Sequence, residues 1–463
     1  MKHILTNEWK GFMRNHLFMI LISVFIISLV LTSYFGIIHN NKQILAQKEA
    51  QEHVRKQWDE KNHSNPHQSA HFGSYAFKPT TLLNSIDEGI NGITGNVIRL
   101  EGHKQNDVMF SEASQSLLIS KFGKLKPSLL LQFIIPLFLI FLSFNSYTKE
   151  RDTGRLKLLL IQGASLHKII VSKIISIWLI GFMLLMITTS MQLILINSQL
   201  NIDTVLRIIL LFSSYGLYYL ILISLTMLLS LVLKNNTGAL SLTVIIWVLW
   251  VVFLPKIIGN TVEKIKPLPT RVEFQKEMDN DRSQGIDGHN PSNKRKNELV
   301  QKTLAQYRVN NLEELPVNFR GILMQADEEY GNKVWDTHFG ALYIQLQKQK
   351  NIYQFSGIIN PFASLQSLSM GTAGTDMFHH LNFLRQAENY RRNLIKELNN
   401  KWRDGNWNKS FFQSIEDFKY QTPSFLILMK NYFLDILFLS LWSIILIFSI
   451  NYLSKKDVVY ESL

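Results

Sequence analysis

Three histidines in a polar stretch near the N-terminus have the spacing of a metal site. His63, His67 and His71 follow one another at intervals of four residues, which would place their imidazoles on one face of an α-helix, where they could share a metal ion. Pro66 interrupts this window, however, and no carboxylate is placed to assist the three imidazoles. We therefore predict ordinary surface or core histidines and no metal site.

The nearest approach to a catalytic cluster is Asp376 followed by His379 and His380. An aspartate at the start of an amphipathic stretch is typical of a helix N-cap, so we predict that this group caps a helix and lies at the surface. The chain contains no G-x-x-x-x-G-K-[ST] phosphate loop, no H-E-x-x-H and no G-x-S-x-G. We predict no catalytic residue, and an intramembrane enzyme is the weakest functional hypothesis.

Asp435 lies within an apolar run near the C-terminus, and Lys430 precedes it by five residues. An intramembrane carboxylate is costly and therefore suggests a functional role, which makes Asp435 a possible intramembrane polar site. The alternative is that Asp435 lies near the outer interface of the membrane and pairs with Lys430 or with another helix. We prefer this alternative.

The hydropathy pattern predicts the elements that position these residues. The chain has 463 residues, 47% of them hydrophobic, no cysteine and a formal net charge of +13. The apolar residues form six runs long enough to cross a bilayer, at 17–38, 128–147, 169–197, 205–233, 238–258 and 425–453. The expected fold class is an all-α polytopic membrane protein. No basic, aromatic-interleaved module is present, so we predict no nucleic-acid partner.

The charges of the short loops predict the orientation of the chain. Lys and Arg are present at 148–168 and 454–463 and absent from 198–204, and cation-rich short loops remain cytoplasmic. We therefore predict a multi-pass protein of the cell (inner) membrane with both termini cytoplasmic, including a tail at 454–463. Residues 1–16 form a basic amphipathic helix in the membrane interface. Residues 39–127 and 259–424 form two mainly helical extracytoplasmic regions.

Two details of the second extracytoplasmic region follow from its residue pattern. Residues 279–294 are rich in Asp, Asn, Gly and Ser and are predicted to form a loop. In the amphipathic stretch at 377–402, Glu388 and Arg391 interrupt the apolar stripe, so the burial of that stripe is left open.

The loop at 148–168 combines charged residues, a glycine and a short apolar run. Its residues of interest are Glu150, Arg151, Gly154, Leu156, Leu159 and Leu160. The apolar run is too short to cross a bilayer but can lie against a membrane surface or a partner. Charge alone leaves a solvated loop and a docking segment equally open.

This order of residues, continued by Gly163-Ala164-Ser165 and a span, resembles the first cytoplasmic loop of ABC-2-type transporter permeases. In that family the loop forms a coupling helix that sits in a groove of the ATPase, and a helix before the first span helps to cradle the ATPase. The resemblance implies that the six residues named above couple to an ATPase. The stretches at 71–79, 100–106 and 360–392 resemble a subset of the family that carries a large external domain of unknown function.

The resemblance also implies a function. The chain would be the permease subunit of an ATP-driven transporter, with export as the favoured direction, and would bind no cofactor itself. Two such subunits, identical or paralogous, would pair with separate ABC ATPase subunits, which bind ATP and magnesium. The alternative is a mechanical or scaffolding subunit that relays ATPase motion to a periplasmic or envelope partner without moving a substrate.

Overall fold

The computed structural model describes residues 2–61, 63–106, 125–195, 200–233 and 235–455. These described residues are about 79% helical. Of the predicted segments, residues 107–124, residues 196–197 at the end of the third span and residues 456–463 of the tail lie outside the described part.

Residues 2–265 carry five of the apolar helices. In chain order it contains α1 (Lys2–Arg14), α2 (His16–Glu60), α3 (Pro66–Phe72), β1 (Ser74–Phe77), a 3₁₀ turn (Leu82–Ser85), α4 (Asn91–Thr94) and β2 (Val97–Leu100). Helix α5 joins Pro127–Leu129, a π-helical turn at Leu130–Ile134 and Ile135–Ser143. It is followed by α6 (Thr148–Asp152), α7 (Arg155–Ile161), α8 (Leu166–Leu195) and α9 (Ile202–Val232). Helix α10 joins Asn236–Val248, a π-helical turn at Leu249–Phe253 and Leu254–Ile265.

The second half of the chain is helical throughout its described elements. It contains α11 (Arg271–Gln284), α12 (Ser292–Tyr307), α13 (Phe319–Phe355), α14 (Pro361–Ala373), α15 (Met377–Asp404), α16 (Lys409–Ser414) and α17 (Phe425–Leu453), with short 3₁₀ turns at Leu312–Glu314 and Ser356–Ile358. Among the described residues, six helical segments are long and apolar enough to cross a membrane, namely α2, Pro127–Asp152 (α5 continued through α6), α8, α9, α10 and α17. Residues 40–106 and residues 266–424, with the exception of α14, pack together at one end of this bundle. We call these residues the head.

Helix α2 is continuous for 45 residues, so its apolar N-terminal half and its polar C-terminal half form one rod. The Asn15 side chain caps its start by accepting the backbone N–H of Phe18. At its far end, Trp58 Nε1 donates to the carbonyl of Phe412 at 2.8 Å, and Arg55 donates to the carbonyl of Ile415. Helix α2 therefore links the bundle directly to the head.

A proline explains the π-helical turn in α5. Pro136 has no N–H and cannot complete the regular ladder, so the preceding turn at Leu130–Ile134 widens to i→i+5 bonding. The carbonyl of Leu131 then accepts a bond of 2.9 Å from Tyr219 Oη on α9. Pro136 thus produces a helical bulge whose exposed carbonyl is satisfied by a neighbouring apolar helix.

The same arrangement recurs in α10, and it anchors a helix that we predicted to lie outside the bundle. Pro255 follows the π-helical turn at Leu249–Phe253, and the carbonyl of Trp250 accepts 2.9 Å from Asn360 Nδ2. Asn360 also caps α14, which packs against α9 and α17 with Phe362 and most of its other side chains buried. This stretch belongs to the predicted second extracytoplasmic region, and its apolar side chains pack against two of the six apolar helices.

The fold is almost entirely helical, as predicted, and the head adds one two-stranded sheet. β1 and β2 pair antiparallel, with Ser74 opposite Leu100 and Phe77 opposite Val97. Gly73 has a φ of +70°, and a Cβ there would meet the carbonyl oxygen of Leu100, so only glycine allows this close approach. The strands escape a pattern search because each has four residues and the partners are separated by the residues 78–96.

The second polar region contains more helix than its composition indicates. The predicted loop at 279–294 is wrong: α11 continues to Gln284 and α12 begins at Ser292. Helix α11 is started by a capping box, in which Thr270 and Glu273 satisfy each other's backbone N–H groups. Only the seven residues between the two helices form the turn.

Glu388 and Arg391 do not expose the apolar stripe of α15, because both are buried as a charged network. Arg391 is 1% exposed and donates two bonds of 2.8 Å to Glu388, one turn before it on the same helix. It also donates to Glu328 Oε2 at 3.0 Å and to Asn332 Oδ1 at 2.8 Å, both on α13. The network therefore joins the two longest helices of the head.

Candidate functional site

The linker between the second and third spans is folded, not extended. Gly154 separates α6 from α7 with a φ of +71°, and no atom lies within 4 Å of the position where a Cβ would be. Its left-handed backbone, not crowding, is therefore what favours glycine at this position. Gly163 ends α7 in the same way with a φ of +87°. Gly154 thus separates two short helices, and Gly163 follows the end of the second.

Glu150 forms an ion pair within its own chain. Its Oε1 lies 2.9 Å from Lys173 Nζ, and the same ammonium lies 2.6 Å from Glu8 Oε1 on α1. Lys173 is 2% exposed, so the two carboxylates compensate a buried charge. We call this group the Lys173 clamp. It joins the N-terminal helix, the linker and the third span at the end of the bundle opposite the head.

The other charged residue of the predicted coupling set has a local partner. Arg151 Nε donates to Asp152 Oδ1 at 3.2 Å, and the Arg151 side chain is 16% exposed. Neither charged residue of the predicted set is therefore a free surface charge.

The apolar residues of α7 point in two directions. Leu156 is fully buried in the bundle core, and Leu159 and Leu160 are half-buried against it. Leu158 and Ile161 are 61% and 82% exposed. Leu156 is therefore unavailable for a partner, and the exposed apolar contact that a partner can reach is formed by Leu158 and Ile161, which the predicted set omits.

Asp435 is fully buried in α17 and bonds to the neighbouring helices. Its Oδ2 accepts from Gln354 Nε2 at 2.5 Å and from Ser367 Oγ at 3.1 Å. Lys430 is exposed and does not contribute to these bonds. The sequence leaves either Lys430 or another helix as the partner of Asp435. In the structure the partners lie on other helices, since Gln354 is on α13 and Ser367 is on α14.

We expect Asp435→Asn to cost little. The amide oxygen of asparagine still accepts from Gln354 and Ser367, so the free energy of unfolding should fall by about 1 kcal/mol. Thermal unfolding of the purified protein measures this loss. A loss well above this value would instead mean that the carboxylate itself, and not only its acceptor oxygen, holds α13, α14 and α17 together.

The Asp376 group is a cap, but it is buried and not at the surface as we predicted. Asp376 accepts the backbone N–H groups of Phe378 and His379 and lies 2.5 Å from His379 Nδ1. Burial alone would raise the pKa of Asp376, but His379 and Lys350 lower the pKa to about 2. Burial lowers the pKa of His380 to about 4. The group thus stabilises the start of α15.

The structure separates one of the three predicted histidines and adds another. His63 bonds to Ser69 Oγ and the carbonyl of Trp58, both at 2.7 Å. His67 and His71 lie on α3 with their Nε2 atoms 3.2 Å apart, and His103 completes a group whose three ligand atoms lie within 4.8 Å of one another. Burial, with the two neighbouring imidazoles, lowers the pKa of His67 to about 4. The pairing of β1 with β2 brings His103, which follows β2, close to α3.

The six apolar helices and the helical head define a membrane-embedded helical protein. Two family models match parts of this chain, a domain of unknown function (DUF3526) over residues 271–421 and a protein of unknown function (DUF2705) over residues 101–266. The first covers the head from α11 to the residues just before α17, and the second covers the linker and four of the spans. Each covers less than half of the chain. The curated proteins contain no match to this chain, and neither do the solved structures.

Proposed function

We propose that this chain is the membrane-spanning permease subunit of an ABC-2-type transporter and that residues 148–165 dock on a separate ATPase. The observation that carries the proposal is the linker itself. It is a short, cation-rich, two-helix segment that is fixed to the bundle and presents exposed Leu158 and Ile161. The ATPase would bind ATP and magnesium, because this chain has no phosphate loop.

The linker has the mechanical connections that such a role requires. Leu156 packs in the bundle core, and the Lys173 clamp ties α6 to α8 and to α1. A displacement of α7 by an ATPase therefore reaches the third span through a buried leucine and an ion pair. The polar face of α1 at the same end of the bundle supplies a second surface for the ATPase.

The orientation and assembly follow from the same proposal. The linker and both termini are placed in the cytoplasm and the head outside the cell (inner) membrane, since cation-rich short loops stay inside. Only 22% of the most apolar window of α2 and of α10 is buried within the chain. These two helices are therefore the surfaces on which a second permease, identical or paralogous, would pack. Export is the direction we favour.

The exposed apolar pair of α7 provides the test. Leu158→Asp and Ile161→Asp should each release the ATPase, because burying a large aliphatic side chain contributes roughly 1.5–3 kcal/mol and about 1.4 kcal/mol is tenfold in affinity. We expect co-purification of the ATPase to fall at least about tenfold. Val272→Asp is the matched control, since Val272 is 78% exposed on α11 in the head.

Docking through the linker would be contradicted if both linker variants retained the ATPase as the Val272→Asp variant does. Residues 148–165 would then not be the docking segment, and the proposal would lose its main support.

The attachment of α2 to the head favours a second candidate, a mechanical subunit that relays ATPase motion to an envelope partner. Arg55 and Trp58 bond the far end of α2 to backbone carbonyls at 412–415. Activity of the complex in liposomes separates the two candidates. Stimulation by a transported substrate supports the permease, whereas stimulation only by a protein partner supports the relay.

A further inference from the structure

The histidine group of the head lies between two segments whose backbones are fixed to each other. His67 and His71 are one turn apart on α3, and His103 lies in the turn that follows β2. The N–H of Gly102 donates to the carbonyl of Ala70 at 2.9 Å, and Arg99 donates to the carbonyl of His71 at 3.0 Å. The imidazoles therefore project from a connected scaffold, as a precise ligand set requires.

His103 is held in an uncommon backbone conformation by acidic neighbours. Its φ is +63°, one of two such values at non-glycine positions in the described chain. Its backbone N–H donates to Glu328 Oε1, and its Nδ1 lies 3.2 Å from the same oxygen and 3.8 Å from Asp327 Oδ2. With Nδ1 donating to the carboxylate, Nε2 keeps its lone pair.

This pattern is that of a metal-binding histidine. A carboxylate that accepts the second ring N–H of a ligand fixes its tautomer and raises its basicity. Glu328 is itself buried, and its Oε2 accepts a bond of 3.0 Å from Arg391 Nη1, so the orientation of this carboxylate is fixed. On the other side of the group, the His67 ring stacks on Trp402, with centroids 4.7 Å apart and planes 12° apart.

We propose that His67, His71 and His103 bind one divalent transition-metal ion, with Zn²⁺, Cu²⁺ and Ni²⁺ as the class of ligand. Imidazole nitrogens suit these ions, whereas Mg²⁺ and Ca²⁺ prefer oxygen ligands. Two nitrogens 3.2 Å apart subtend an angle of about 100° at an ion about 2.0–2.1 Å from each, close to tetrahedral geometry.

The site leaves a coordination position open. Three protein ligands in a tetrahedral site leave a fourth for water, and the exposed side of His71 supplies access from solvent. Removal of an ion therefore needs no unfolding of the head. The proposal is independent of the transport function, because it rests on the head alone.

Metal titration of the full-length protein in detergent, first stripped with a chelator, tests the site. We expect one Zn²⁺ per chain by calorimetry, and a Cu²⁺ electron paramagnetic resonance spectrum with three nitrogen ligands. Glu328→Gln should weaken binding by about 10–100-fold. His71→Ala and His103→Ala remove ligands and should weaken it by more than this. His53→Ala is the control, because His53 is an exposed histidine of the same polar region, and it should bind as the parent does.

Circular dichroism and thermal unfolding establish that each variant is folded before titration. The proposal is overturned if folded His71→Ala and His103→Ala bind Zn²⁺ as tightly as the parent. It is equally overturned if the parent binds no stoichiometric ion, since the three imidazoles then form only a hydrogen-bonded group.

Discussion

Replacing Arg391 by methionine is expected to lower the free energy of unfolding by about 3–5 kcal/mol, because it leaves the buried carboxylate of Glu328 without its cation and Glu388 with Arg392 alone. Arg391 is 1% exposed, and its bonds to Glu388 and Glu328 account for all of its strong acidic contacts. Methionine fills much of the same volume, so the loss reflects charge more than packing. Thermal unfolding in detergent, followed by tryptophan fluorescence, measures the effect.

Arg403→Met is the matched control for Arg391. Arg403 lies on the same helix and pairs with its exposed neighbour Asp404 at 2.7 Å, and exposed pairs contribute about 0–1 kcal/mol. Unfolding of both variants at one temperature would mean that the buried network does not stabilise the head. Arg391→Lys should fall between them, because an ammonium cannot reproduce the paired geometry of the guanidinium.

Replacing Lys173 by methionine is expected to have the second largest effect. Glu8 and Glu150 would then face each other at the end of the bundle with no cation between them. Their side chains are 19% and 20% exposed, so we expect a loss of about 2–3 kcal/mol, below the value of about 3–5 kcal/mol for a fully buried pair. The unfolding temperature of the purified chain measures the loss.

A compensating variant makes this second prediction specific. In the triple variant Glu8→Gln, Glu150→Gln, Lys173→Met, no uncompensated charge remains, and replacing a whole buried ion pair is often close to neutral. The triple variant should therefore recover most of the stability that Lys173→Met loses. If it is as unstable as the single variant, the contribution of Lys173 is not electrostatic.

Much of the membrane architecture could be predicted because it depends on local composition. A run of apolar residues of sufficient length is readable without any knowledge of its neighbours, and each predicted span overlaps one of the six apolar helices. The continuation of α2 beyond residue 38 was also predictable, since its helical pattern continues without a break to Lys61.

The remaining features depend on partners that are distant in sequence. Glu388 and Arg391 read as interruptions of an apolar stripe because their partner Glu328 lies on another helix. His103 joins His67 and His71 through the pairing of two four-residue strands and the bond of Gly102 to Ala70.

The orientation of the linker side chains could not be predicted from the sequence either. The left-handed Gly154 restarts the helix after α6, so spacing alone could not decide whether Leu156 or Leu158 would be exposed.

The unbroken course of α2 has a consequence for how the two ends of the molecule move. Its 45 residues extend about 67 Å at 1.5 Å per residue, so a tilt of about 10° around its midpoint displaces each end by about 6 Å. Near the C-terminal end of α2, Trp58 and Arg55 donate hydrogen bonds to backbone carbonyls at 412–415. Nearer its N-terminal end, Leu29 packs in the bundle core. If α2 tilts as a rigid rod, a small rotation of its apolar half therefore moves its polar end in the head by several ångströms.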